Sequence, residues 1–127
     1  MTKEELYGVA LEATKFSYAP YSKFKVGAAI MASNGEIFTG CNVENASFGG
    51  TICAERTAVF KAVSEGRREF IKIAIAESND GDCTPCGFCR QVLSEFSKDG
   101  SLMVICKVNG VLKEIPLREL LPHSFTF

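Results

Sequence analysis

The chain carries almost no excess of either charge. Its 14 Lys and Arg stand against 15 Asp and Glu, leaving a net charge of −1. No run of basic residues forms a stripe. A nucleic-acid binder needs such a footprint to neutralise phosphates, so no nucleic-acid partner is expected. No apolar run approaches the ~20 residues that span a bilayer. Thr2-Lys3-Glu4-Glu5 opens an amphipathic pattern rather than the apolar centre of a secretory signal. No membrane partner is therefore expected, and the cytoplasm is the expected location. Repeats, low-complexity segments and linkers are also missing, so residues 1–127 are expected to form a single domain, with 46% hydrophobic residues to build its core. There is one histidine, His123. It falls in a terminal loop and is not expected to bind metal. Cysteine, by contrast, is plentiful: six in a cytoplasmic chain point to metal or catalysis rather than to a disulfide framework.

The periodicity predicts helix, strand, strand, helix, strand, helix, strand, strand, helix. Thr2 and Glu5 form a capping box, and Leu6, Val9, Ala10, Ala13 and Phe16 mark one apolar helix face ending before Pro20. Phe24–Ala32 and Glu36–Cys41 read as strands, joined by Ser33-Asn34-Gly35 as a tight hairpin. A loop through Asn42–Thr51 leads to a helix over Cys53–Glu65, with Gly66 at its left-handed end. A strand over Ile71–Ala76, a loop over Ser78–Pro85 and a helix over Cys86–Phe96 follow. Leu102–Val108 and Val111–Ile115 are the last strands, with Asn109-Gly110 between them, and Pro116 opens a short helix as its first residue. Two helical crossovers imply parallel neighbours in mid-sheet, and two hairpins add antiparallel pairs. The expected fold is α/β: a mixed five-stranded sheet covered by helices, its last two strands antiparallel.

The chemistry is concentrated in Cys53-Ala54-Glu55 and Pro85-Cys86-Gly87-Phe88-Cys89. Cys53, Cys86 and Cys89 offer three thiolates for one metal and leave a fourth position open, as catalytic zinc requires. Both groups fall at predicted helix N-termini, whose partial positive charge favours thiolate. Three thiolates on Zn²⁺ leave a net charge near −1, which Arg56 and Arg90 would offset by donating N–H bonds to the sulfurs. The Cys-x-x-Cys pair alone also fits a redox site, and Cys83 with Cys86 and Cys89 mimics an iron–sulfur run. Cys83 precedes Pro85 in a loop, however, and reads as a bystander. Cys41 and Cys106 fall in strands and read as small buried hydrophobes. Glu55 in a first helical turn is often only a dipole partner, but its place beside a metal ligand points to catalysis. Asn42-Val43-Glu44-Asn45 reads equally as an ordinary polar loop or as a sugar-binding segment, since an amide and a carboxylate together match hydroxyl groups.

A Cys or His, a Glu two residues on, and then Pro-Cys-x-x-Cys is the signature of the zinc nucleobase deaminases. Along nearly its whole length the chain resembles the small homotetrameric cytidine deaminases of pyrimidine salvage, through Ala19–Ala29, Asn42–Ser47, Cys53–Ala58, Pro85–Gln91 and Glu119–Pro122. The resemblance implies a cytidine deaminase-like three-layer fold and one Zn²⁺ per subunit. It implies hydrolysis of cytidine or deoxycytidine to uridine or deoxyuridine plus ammonia. Cys53, Cys86 and Cys89 would bind zinc and Glu55 would shuttle protons. Phe24 would lie against the base and ribose, Asn42 and Glu44 would bond the 3′-hydroxyl, and the Ala54 N–H would meet the 2-oxo group. Phe125 would stack on a base in a neighbouring subunit. Phe48 stands where relatives often carry tyrosine. The rival readings are a deaminase of the blasticidin S type, which lacks the Asn42–Asn45 segment, and a closed structural zinc module with Cys83 as fourth ligand.

Overall fold

The computed structural model describes all residues from Met1 to Phe127. Its helices are α1 (Lys3–Ala13), α2 (Ala54–Ser64), α3 (Gly87–Glu95) and α4 (Leu117–Leu120). Its strands are β1 (Val26–Ala32), β2 (Ile37–Cys41), β3 (Phe70–Glu77), β4 (Met103–Val108) and β5 (Val111–Pro116). The strands form one sheet in the order β2-β1-β3-β4-β5. Both predicted hairpins form, β1 with β2 and β4 with β5, each antiparallel. At Asn109 and Gly110 the backbone φ values are 52° and 77°, the two left-handed residues that a two-residue hairpin turn requires. The mid-sheet expectation needs correcting. Only β3 and β4 are parallel neighbours, whereas β1 pairs antiparallel with β3. The α2 crossover does join two strands of the same direction, β2 and β3, but β1 lies between them. Crossover length fixes direction, not adjacency.

The sheet is covered on both faces, and the side-chain alternation of its strands divides the core in two. Ala28, Ile30, Ile73, Ile75, Val104 and Cys106 face α2 and α3 in the larger cluster. Ala29, Ala74, Ala76 and Ile105 face Leu6, Tyr7 and Ala10 of α1 in the smaller one. Every residue of β1 is buried, as befits a strand covered on both sides.

Both closely packed helix–sheet contacts depend on glycine. A Cβ on Gly27 would sit 2.0 Å from the Ala10 carbonyl oxygen of α1, and one on Gly40 would sit 2.5 Å from the Ala58 nitrogen of α2. The capping box of Thr2 and Glu5 is present. Phe16 departs from the expected apolar face: the chain tightens into a 3₁₀ turn over Thr14–Phe16, buries Thr14 and leaves Phe16 80% exposed. The tighter turn advances each side chain by about 120° rather than 100°, which carries Phe16 off the α-helical stripe. Pro116 is likewise not the first helical residue. Its ψ of 141° is extended, and it both ends β5 and caps α4.

Candidate active site

Cys53 caps α2 and Cys86 caps α3, so two sulfurs sit where first-turn N–H groups have no intrahelical acceptor. One turn into α3, Cys89 is buried, and its backbone N–H reaches the Cys86 sulfur at 3.4 Å. The three Sγ atoms lie within 4.8 Å of one another, with Cys53 and Cys86 at 3.9 Å. Zn–S bonds of ~2.3 Å in a tetrahedron place sulfurs ~3.8 Å apart, so this donor set fits zinc with little adjustment. Cys83 is outside the cluster; burial pushes its thiol up to about 12, and it packs against the core. Without metal, hydrogen bonding from Cys89 and from the Arg56 guanidinium holds the Cys53 thiol well below the usual range, while the bond to Cys53 pushes Cys89 up.

Glu55 lies in the first turn of α2 and is only 4% exposed. Burial pushes its carboxyl up to about 7, which leaves it able to take and give a proton near neutrality. It shares a cavity of about 290 Å³ with Cys53, Cys86, Ala54, Phe24, Asn42 and Glu44. That lies near the lower end of the ~300–1,000 Å³ range of small-molecule sites. Cys83 and Thr84 line it too, and neither Lys nor Arg does. Phe24 is 47% exposed. It follows Lys23, whose φ of 62° turns the chain ahead of β1.

Asn42 and Glu44 are held by the protein itself. Asn42 accepts from the Val26 N–H at 2.9 Å and the Ser17 hydroxyl at 2.5 Å, and donates to the Phe24 carbonyl at 2.7 Å. One amide hydrogen of its NH₂ group is left over. Glu44 accepts from the Tyr21 and Ser22 N–H groups at 3.0 and 3.1 Å and from the Ser22 hydroxyl. The Ser22 hydroxyl foremost holds its carboxyl below the usual range. An acceptor site remains free on the carboxylate.

The model of the cytidine and deoxycytidylate deaminase zinc-binding region matches residues 1–106. The chain belongs to this deaminase family. A cytidine deaminase of Halalkalibacterium halodurans is 44% identical over 126 residues, 99% of this chain and 96% of that one. The crystal structure of a cytidine deaminase from Burkholderia pseudomallei superposes with a TM-score of 0.90 at 44% identity, covering 98% of this chain and all of that one. A blasticidin-S deaminase of Bacillus cereus is more distant, 33% identical over 130 residues, 96% of this chain and 91% of that protein. The chain is thus a hydrolytic deaminase with a zinc-binding region.

Within this deaminase the two arginines part company. Arg56 donates to the Cys53 sulfur at 3.5 Å, while its guanidinium carbon lies 4.4 Å from the Phe88 ring centre. Arg90 corrects the expectation: its guanidinium donates to the Pro85 and Leu120 carbonyls at 2.7 and 2.8 Å, not to sulfur. Leu120 ends α4, where carbonyls lack helical donors and attract a cation. Phe125 is 67% exposed and lies away from its own chain's cavity, edge-to-face with Phe127 at 5.3 Å. Phe48, 79% exposed, meets Tyr21 edge-on beside Glu44 in an adjoining groove, again without Lys or Arg. Sequence reasoning passed over Ser17, Ser22 and Phe88. The only available signal was position: Ser22 lies two residues before Phe24, and Phe88 between two metal ligands.

Proposed function

We propose that the protein hydrolyses cytidine and 2′-deoxycytidine to uridine and 2′-deoxyuridine with release of ammonia, as one catalytic domain serving pyrimidine salvage. A single observation carries this reading. One small cavity is lined by Cys53, Cys86, Glu55, Asn42 and Glu44, with the buried Cys89 sulfur within 4.8 Å of the other two, and it has no Lys or Arg in its wall. A nucleotide phosphate would find no partner there, whereas a neutral nucleoside matches this lining. Cys53, Cys86 and Cys89 would hold zinc, which when bound would supply a Lewis acid able to acidify water.

Glu55 does the proton work. Its carboxylate takes a proton from the attacking water and delivers it to ring N3, which makes C4 electrophilic. The water oxygen bonds to C4, Glu55 moves the second water proton to the 4-amino nitrogen, and the C4–N bond breaks as ammonia departs and the C4 oxygen becomes a carbonyl. The Ala54 N–H, at the first position of α2, donates to the 2-oxo group. The free donor of Asn42 and the free acceptor site of Glu44 take the ribose 3′-hydroxyl. Phe24 lies against base and sugar. Arg56 offsets the negative charge of the three sulfurs.

The assembly is a homotetramer in which Phe125 stacks on a base bound by a neighbouring subunit. Two exposed aromatics, Phe125 and Phe127, support this, since apolar surface of that kind marks interfaces. Six unpaired cysteines fit a reducing cytoplasm. An ultraviolet assay of purified protein with cytidine, deoxycytidine, cytosine, deoxycytidylate and blasticidin S side by side tests the reading. The two nucleosides should turn over fastest. Faster loss of blasticidin S or of the nucleotide would overturn it.

A further inference from the structure

The loop from β3 to α3 carries Cys83, Thr84 and Cys86 into the cavity, yet the main chain alone gives it little support. Of residues 81–85, Cys83 alone has its N–H bonded to another main-chain group, the Lys107 carbonyl at 3.4 Å. The loop is gripped instead through acidic side chains. Asp80 accepts from the Tyr7 hydroxyl at 2.5 Å and pairs with the Lys107 ammonium at 2.8 Å. Glu77 accepts from the Asn79 and Gly81 N–H groups at 2.9 and 3.1 Å. Asp82 makes the longest reach: its two carboxylate oxygens accept from the Asn109 and Gly110 N–H groups at 2.7 and 2.9 Å. Successive left-handed residues in that turn aim both N–H groups at one point, a concavity that binds anions. The β4–β5 turn thereby holds a carboxylate four residues ahead of a metal-ligand cysteine.

We propose that Asp82 is a positioning residue: clasped by the β4–β5 turn, it fixes the cavity wall at Cys83 and Thr84 and keeps the Cys86 sulfur within reach of Cys53 and Cys89. This inference rests on the zinc reading of the three cysteines. The carboxylate touches neither substrate nor sulfur. It acts through the chain, because Pro85 stiffens the step to Cys86 and the Pro85 carbonyl is itself held by Arg90. Losing the clasp should let the exposed sulfur, Cys86, leave first.

The experiment compares Asp82→Ala and Asp82→Asn with wild type, each as purified zinc-loaded protein. Asp99→Ala is the control, since Asp99 accepts only from Ser101 in its own loop. Zinc release to a chelating dye should be about tenfold faster in Asp82→Ala, in the range that outer partners of metal ligands show. Asp82→Asn, which keeps one acceptor oxygen, should fall between. The KM for cytidine should rise severalfold, and kcat should fall in step with the zinc lost while kcat per bound zinc stays within twofold, because Glu55 lies on a different element. Zinc release at the wild-type rate overturns the proposal, and so does equal acceleration in an Asp99→Ala protein of equal melting temperature. If Asp82→Ala does not fold, Asp82→Asn decides by the same criterion. A wild-type protein that retains no zinc would sink the metal reading first, and this proposal with it; a zinc-retaining wild type with inert Asp82 variants would sink this proposal alone.

Discussion

Arg56 donates its guanidinium N–H to the Cys53 sulfur at 3.5 Å from the first turn of the helix that Cys53 caps. A charge-assisted bond of this kind drains electron density from a thiolate and stabilises it against protonation. Its Nε is buried without a partner, so the side chain is held there at a cost that a purely structural role does not explain. Arg56→Ala should keep zinc and lose about 10–100-fold in kcat. Zinc content by chelator titration and initial rates on cytidine check both halves. Wild-type turnover would end the charge-compensation argument.

Glu55→Gln preserves volume and hydrogen-bonding shape but cannot move protons. The zinc site should stay intact while kcat falls by about 10²–10⁴-fold, the span of general acid–base catalysis. A loss below tenfold, measured on protein with full zinc content, would contradict the proton-shuttle role.

What the sequence disclosed follows from how local each signal is. Two Asn-Gly pairs give two hairpins, and the helix starts read at Cys53 and Cys86 fall within one residue of the observed ones, where each cysteine is the cap. Long-range choices were not legible. The position of β1 between β2 and β3 depends on which sheet edge the α2 crossover passes, and no residue encodes that alone. Arg56 and Arg90 look equivalent, each directly after a residue of the motif. The Pro85 carbonyl just ahead of α3 and the Leu120 carbonyl of α4, packed nearby in space, take the Arg90 donors instead of sulfur. Asn42 and Glu44 reveal their readiness only through Ser17, Ser22 and the main chain that hold them.

The aromatic tail gives a prediction about a shared site. Gln91 fastens the Phe125 carbonyl at 3.1 Å and leaves the side chain 67% exposed beside Phe127. Deleting residues 124–127 should raise KM for cytidine by about tenfold, the ~1–3 kcal/mol that a base–aromatic stack contributes. It should spare zinc content, which the tail does not touch. An unchanged KM would refute a site shared between subunits.

Gly27 and Gly40 separate stability from catalysis. A Cβ at Gly27 strikes the main chain at Ala10 of α1 and at Thr14 just after it, and one at Gly40 strikes the α2 main chain at Ala54 and Ala58. Backbone cannot swing aside as a side chain does, so either alanine should cost about 1–3 kcal/mol through overpacking. The consequences then diverge. α1 carries no cavity residue, whereas α2 presents Ala54 and Glu55 and is capped by Cys53. Displacing α2 should therefore add a loss of up to about 10²-fold in kcat, since small misplacements of catalytic groups are that costly. Gly27→Ala should show a lowered melting temperature with near-normal kcat, and Gly40→Ala should show both losses. Equal stability loss with equal, near-wild-type kcat in both variants would mean that α2 yields to the added methyl without moving Glu55, and that the close seat on Gly40 does not set the site.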